Sequence, residues 1–101
     1  MAHQTPFSFN DKDFPGLAKV AEESGEFMQV FGKLLMTGGH TAYFDGTDLR
    51  EALLAEIADM EAALTFVRAQ MPMLDSERKT LNDRVKRKLH NFYAYRQEGL
   101  T

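Results

Sequence analysis

Two short acidic motifs carry the chemistry this sequence can support: Glu23-Ser24-Gly25-Glu26 and Glu56-Ile57-Ala58-Asp59. On a helix, residues three apart lie on one side, about a turn from each other, so each motif presents two carboxylates together. Four carboxylates gathered in a partly buried space repel and raise one another's pKa values, and a divalent cation removes that cost. Ligands that are all oxygen favour Mg2+, Mn2+ or Ca2+ over zinc or copper. Mg2+ is the expected ion, with Mn2+ as a substitute, because Mg2+ usually binds together with phosphates. A carboxylate-bridged di-iron centre is set aside, since those bundles use Glu-x-x-His. The residues three before His40 and His90 are Thr37 and Arg87, and His3 has none.

Cations are placed to meet a phosphate beside such an ion. Lys33 continues the helical stripe Lys19, Glu23, Glu26, Val30. A later segment offers Arg84, Lys88, Asn91 and Tyr95 at the same rotational offset from its own apolar seam. Acidic ligands on two helices and basic donors on a third suit a metal-bridged polyphosphate. Net charge is −3 and unevenly spread: residues 1–75 hold 5 Lys/Arg against 12 Asp/Glu, and residues 76–101 hold 7 against 3. The basic tail could be a solvated helix face. It also supports an alternative function, a non-catalytic helical dimer that binds nucleic acid or protein through its C-terminal helix. That alternative leaves the carboxylate motifs unexplained, because they would repel nucleic acid.

The elements that must position these groups are three helices, with no strand pattern. The first starts near Pro15, a residue favoured in a first turn. Its seam is Leu17, Val20, Phe27, Phe31 and Leu34, and it stops at Thr37-Gly38-Gly39, where glycine supplies a cap. Residues 38–47 form a loop. Asp48 and Glu51 make a capping pattern for a second helix that runs to about Met71, before Pro72. Its seam is Leu49, Leu53, Ile57, Met60, Leu64, Val67 and Met71, with a further apolar stripe at Ala52, Ala55, Ala63 and Phe66. The third helix, capped by Asp75 or Ser76, runs to about Gln97 on a seam of Leu81, Val85, Leu89 and Phe92. Both carboxylate pairs lie one residue before seam positions, so they flank their seams on the same rotational side. The two-sided apolar character of the second helix points to an all-α protomer of three helices that builds a four-helix-bundle-type core in a dimer or tetramer.

One domain spans residues 1–101, with 1–14 as an irregular N-terminal strap and 15–97 as helices, as the length of 101 residues suggests. The chain has no cysteine, so disulfides and thiolate metal sites are excluded. The opening MAHQTPFSFNDKDF lacks the basic and apolar stretches of a signal peptide, and no apolar run approaches a membrane span. A cytoplasmic location and no membrane partner are expected.

With its two motifs on consecutive amphipathic helices, the chain resembles the MazG-like all-α nucleoside triphosphate pyrophosphohydrolases. Their signature is E-x-x-E, a spacer, then E-x-x-D on two antiparallel helices. Here Glu22 adds the doubled acid often seen at its start, and the resemblance covers residues 15–71. The spacer between Glu26 and Glu56 is long for the pattern, and it holds the loop GGHTAYFDGT, which the resemblance does not map. The resemblance implies Mg2+-dependent cleavage of a nucleoside triphosphate, by preference a dNTP, to the monophosphate and pyrophosphate. It implies metal ligation by Glu23, Glu26, Glu56 and Asp59, with Glu22 or Glu23 orienting the water or taking its proton. Lys33 and Lys88 become phosphate contacts, and a homodimer or homotetramer is implied. For the base, Phe7, His40, Tyr43 and Asn91 are candidates for stacking or edge contacts, and packing is the competing role for each aromatic.

Overall fold

The computed structural model describes residues 8–98. Among them are three helices: α1, Leu17–Met36; α2, Leu49–Gln70; and α3, Asp75–Glu98. The chain divides into two compact units, Met1–Met71 and Pro72–Thr101. No helix among the described residues is long and apolar enough to cross a membrane.

In the first unit, α1 follows a tight turn at residues 10–14. Asn10 Oδ1 accepts from the Asp13 backbone N–H at 2.9 Å, and Phe9 meets Phe14 edge-on with centroids 4.9 Å apart. Helix α1 begins just after Pro15-Gly16. Gly16 has a φ of +106°, a conformation other residues rarely adopt, and it has no side chain to cap the helix. Asp11 does that from outside, accepting from the backbone N–H groups of Gly16 at 3.2 Å and Ala18 at 2.8 Å. The C-terminus ends where the glycines require it. Thr37 is the C-cap, and Gly39 at φ +92° donates its N–H to Leu34 O at 2.8 Å.

The loop between α1 and α2 is a small hairpin. Ala42 bridges Asp48 antiparallel, the Tyr43 N–H donates to Thr47 O, and the Gly46 N–H donates to Tyr43 O, both at 3.0 Å. The hairpin ends directly in the α2 cap, where Asp48 Oδ1 accepts from Arg50 N at 2.9 Å and Glu51 N at 3.3 Å.

Helices α1 and α2 run antiparallel. Gly16 approaches Phe66, and Glu23 and Val20 share a cavity with Asp59 and Ala62. Glu56 feels the charge of Glu26. Residue numbers therefore rise on one helix as they fall on the other. The helices meet along a face shared by the expected leucine seam and the carboxylate stripe: Leu49 is fully buried, and Leu17, Val20, Phe27, Leu34, Leu53, Met60 and Val67 are half-buried. Val30 and Ala63, both on the carboxylate stripes, are buried, while Ile57 and Leu64 of the expected seam are 40% and 54% exposed. Glu23, Glu26 and Glu56 are half-buried and Asp59 is exposed, so the carboxylates lie along the edge of the α1–α2 interface. On the stripe side, Ala63 is buried in that face and Gly16 leaves room for the Phe66 ring.

In the second unit, α3 starts one residue earlier than capping by Asp75 would require. Leu74 precedes its first residue and donates its backbone N–H to Glu77 Oε1 at 2.9 Å, the returning half of a capping box. Leu81 is half-buried, while Val85, Leu89 and Phe92 stand more than half exposed.

Candidate metal centre

The α1–α2 pair brings all four motif carboxylates to one place. Glu23, Glu26, Glu56 and Asp59 each offer an oxygen, and these oxygens lie within 4.8 Å of one another. The first three residues are half-buried and Asp59 is exposed. The spacing within each motif matches the antiparallel pairing of the helices. An antiparallel pair with Glu23 level with Asp59 places Glu26, one turn on, level with Glu56, one turn back.

The electrostatics of the group are unfavourable as it stands. Partial burial pushes the Glu23 carboxyl above its ordinary value, and the charges of Glu26, Asp59 and Glu56 add to the shift. Glu56 is raised for the same reasons, burial first, then Glu26 and Asp59. Glu23 Oε2 and Glu56 Oε2 are buried and have no hydrogen-bond partner. Buried polar atoms are normally satisfied, and an orphan wants an explanation such as an ion. The donor set fits a hard divalent cation: four carboxylates, no sulfur, no imidazole.

The other sequence candidates occupy varied places. Glu22 is exposed and pairs with Lys19 Nζ at 3.2 Å. Lys33 is half-buried, with its Nζ over the Tyr43 ring at 5.1 Å from the centroid. Tyr43 also packs against Phe44, centroids 4.6 Å apart, and His40 is exposed at the start of the hairpin. Lys88 and Asn91 are exposed on α3, in the second unit. Phe7 lies outside the described residues.

Sequence reasoning did not place one neighbour of the cluster in the site. A cavity of about 370 Å³ opens beside Glu23 and Asp59, lined further by Gly16, Val20, Ala62, Ala63 and Phe66. The signal for it was present in the α2 stripe Ala52, Glu56, Asp59, Ala63, Phe66, which ends in an aromatic two turns beyond the last carboxylate. Searches of family models, curated proteins and solved structures find no match to this chain.

Proposed function

We propose that this protein is a Mg2+-dependent nucleoside triphosphate pyrophosphohydrolase, acting by preference on a dNTP and releasing the monophosphate and pyrophosphate. One observation carries the proposal. Four carboxylates from the E-x-x-E and E-x-x-D motifs converge within 4.8 Å, and two of their oxygens are buried without a partner. The repulsion in that arrangement costs the fold stability, and a bound cation would relieve it.

In this reading Glu23, Glu26, Glu56 and Asp59 hold the cation, and Mn2+ can replace Mg2+. When bound, the ion supplies charge neutralisation for the polyphosphate and acidity that makes water a nucleophile near neutral pH. The chain's own groups do the rest. Glu23, in the cluster, accepts the proton of the attacking water through an oxygen that the cation would leave free. Glu22 stands next to it, exposed, and can orient that water. The water oxygen bonds to the α-phosphorus as the bond from that phosphorus to the bridging oxygen breaks, and pyrophosphate leaves. Lys33 and Lys88 serve as phosphate contacts. Lys33 is held over Tyr43 in the first unit, and Lys88 is carried on α3.

A homodimer or homotetramer belongs to the same reading. Leu54 and Leu64 on α2 and Val85, Leu89 and Phe92 on α3 are each at least half exposed, which leaves apolar helix faces for a second copy to bury. The alternative role for α3, binding nucleic acid or protein without catalysis, predicts affinity that falls steeply with salt and does not involve Glu56. Glu56→Gln and Asp59→Asn separate the two. Turnover should vanish while the helical signal and oligomer persist, and unchanged turnover in either variant would remove the cluster from the mechanism.

A further inference from the structure

Beside the carboxylates, the cavity between the start of α1 and the second half of α2 has a composition that the metal chemistry does not need. Its lining includes Gly16, Val20, Ala62, Ala63 and Phe66, none of which offers a side-chain hydrogen-bonding group. Its polar side chains are Glu23 and Asp59, shared with the cluster, and Lys19, which Glu22 engages at 3.2 Å. Its volume of about 370 Å³ sits at the lower end of small-molecule sites, which run roughly 300–1,000 Å³.

We propose that this cavity seats the base of the nucleotide, with Phe66 as its aromatic wall. The proposal rests on the pyrophosphohydrolase reading and adds where the substrate's organic half goes. A ligand whose phosphates meet Glu23 and Asp59 carries its next bulky group into the adjoining space. That group has to be flat and tolerant of apolar surroundings, and a nucleobase is both. Gly16 contributes by having no side chain. A Cβ there would stand 3.1 Å from Cζ of Phe66, so glycine lets the ring close that end of the cavity. Ala62 and Ala63 keep the α2 wall low. Recognition of this kind reads shape and apolar area. Discrimination among bases should therefore be graded, on the order of 10–200-fold, rather than absolute.

The test fills the cavity from an exposed position. Ala62 is exposed, so the ring added by Ala62→Phe can enter the space without displacing the buried residues Val30, Leu49 and Ala63. Phe66→Leu, which keeps apolar bulk and removes the ring, is the second variant should the first not fold. Three readouts are taken: helical circular dichroism, Mn2+ binding by EPR, and KM with kcat for the best dNTP. The expected result is an intact fold, unchanged Mn2+ binding and a KM raised by about tenfold or more, the size of a lost base–aromatic stack. In metal-free protein, a nucleoside monophosphate should shift the NMR signals of Phe66 and Ala62. An unchanged KM in both variants, with turnover retained, overturns the cavity assignment and leaves the hydrolase reading standing. No turnover of any nucleoside triphosphate by the unaltered chain overturns the hydrolase reading and this assignment with it.

Discussion

Asp45 and Glu23 are carboxylates of the same helical unit, and the fold treats them in opposite ways. Asp45 sits in the hairpin, where the Thr47 hydroxyl and backbone N–H hold it below its ordinary pKa. Asp83 on α3 is served as well, by Lys79 Nζ at 2.7 Å, and is lowered too. Glu23 and Glu56 are half-buried, receive other carboxylates as neighbours and are raised. Where a carboxylate shapes the backbone or a surface, this chain supplies it with donors. At the cluster Glu23 Oε2 and Glu56 Oε2 have no hydrogen-bond partner. The contrast separates acids whose local partners account for them from two whose local partners do not.

The sharpest way to break this comparison is to neutralise one member of the cluster. Glu56→Gln should lower Mg2+-dependent turnover by at least about 100-fold, as loss of one electrostatic contact in an active site commonly does. Steady-state kinetics with a saturating dNTP measures it. The same variant should melt at a higher temperature than the unaltered chain when metal is absent, because a repelling charge is gone. With excess Mg2+ the order should reverse, since only the unaltered chain gains the stability of a bound ligand. Two melting curves for each protein decide this, and a variant that melts lower in both conditions would make Glu56 a structural acid.

A pH series sharpens the contrast further. Glu23 and Glu56 have folded pKa values above the unfolded value of 4.5. The folded state then binds more protons than the unfolded one as pH climbs from that value through the raised folded values. Stability without metal should be greatest below that window and fall across it. Asp45 and Asp83 act with the opposite sign. Their contribution is present above the unfolded value of 3.8 and is lost as pH falls through their lowered folded values. Urea melts at several pH values should therefore show the loss of stability with rising pH in the unaltered chain and a smaller one in Glu56→Gln.

The smallest effects belong to the structural acids. Asp48→Ala removes two hydrogen bonds at the start of α2 and should cost about 0.5–2 kcal/mol, the usual worth of an N-cap. Asp83→Asn should change stability hardly at all, because its partner and its own side chain are at least half exposed. Neither should alter Mg2+ binding.

Much of this was legible in the sequence because it rested on local rules. The stop at Thr37-Gly38-Gly39, the Asp48 cap and the pairing of carboxylates within each motif follow from spacing within one or two turns, whereas the meeting of the two pairs depends on the packing of α1 on α2. Three things were not legible, each for a physical reason. The leucine seam of α2 supplies Leu49, Leu53, Met60 and Val67 to the packing face, yet that face turns toward the carboxylate stripe, taking in Ala63 and leaving Ile57 and Leu64 outward. The cap of α1 comes from Asp11, seven residues before the N–H of Ala18 that it accepts, beyond any capping pattern. The cavity depends on Gly16 meeting Phe66, two residues 50 positions apart that only the antiparallel pairing brings together. The place of Phe66 on the carboxylate stripe was visible in the sequence, but not that Gly16 would meet it.

The central claim is that the unsatisfied carboxylates hold a cation for cleavage between the α and β phosphates. It is tested most directly by incubating the protein with each common NTP and dNTP plus Mg2+ and resolving the products by chromatography. Monophosphate and pyrophosphate from at least one substrate, with none formed when Mg2+ is chelated, is the predicted result. Diphosphate and phosphate, or no product across the whole panel, would contradict it.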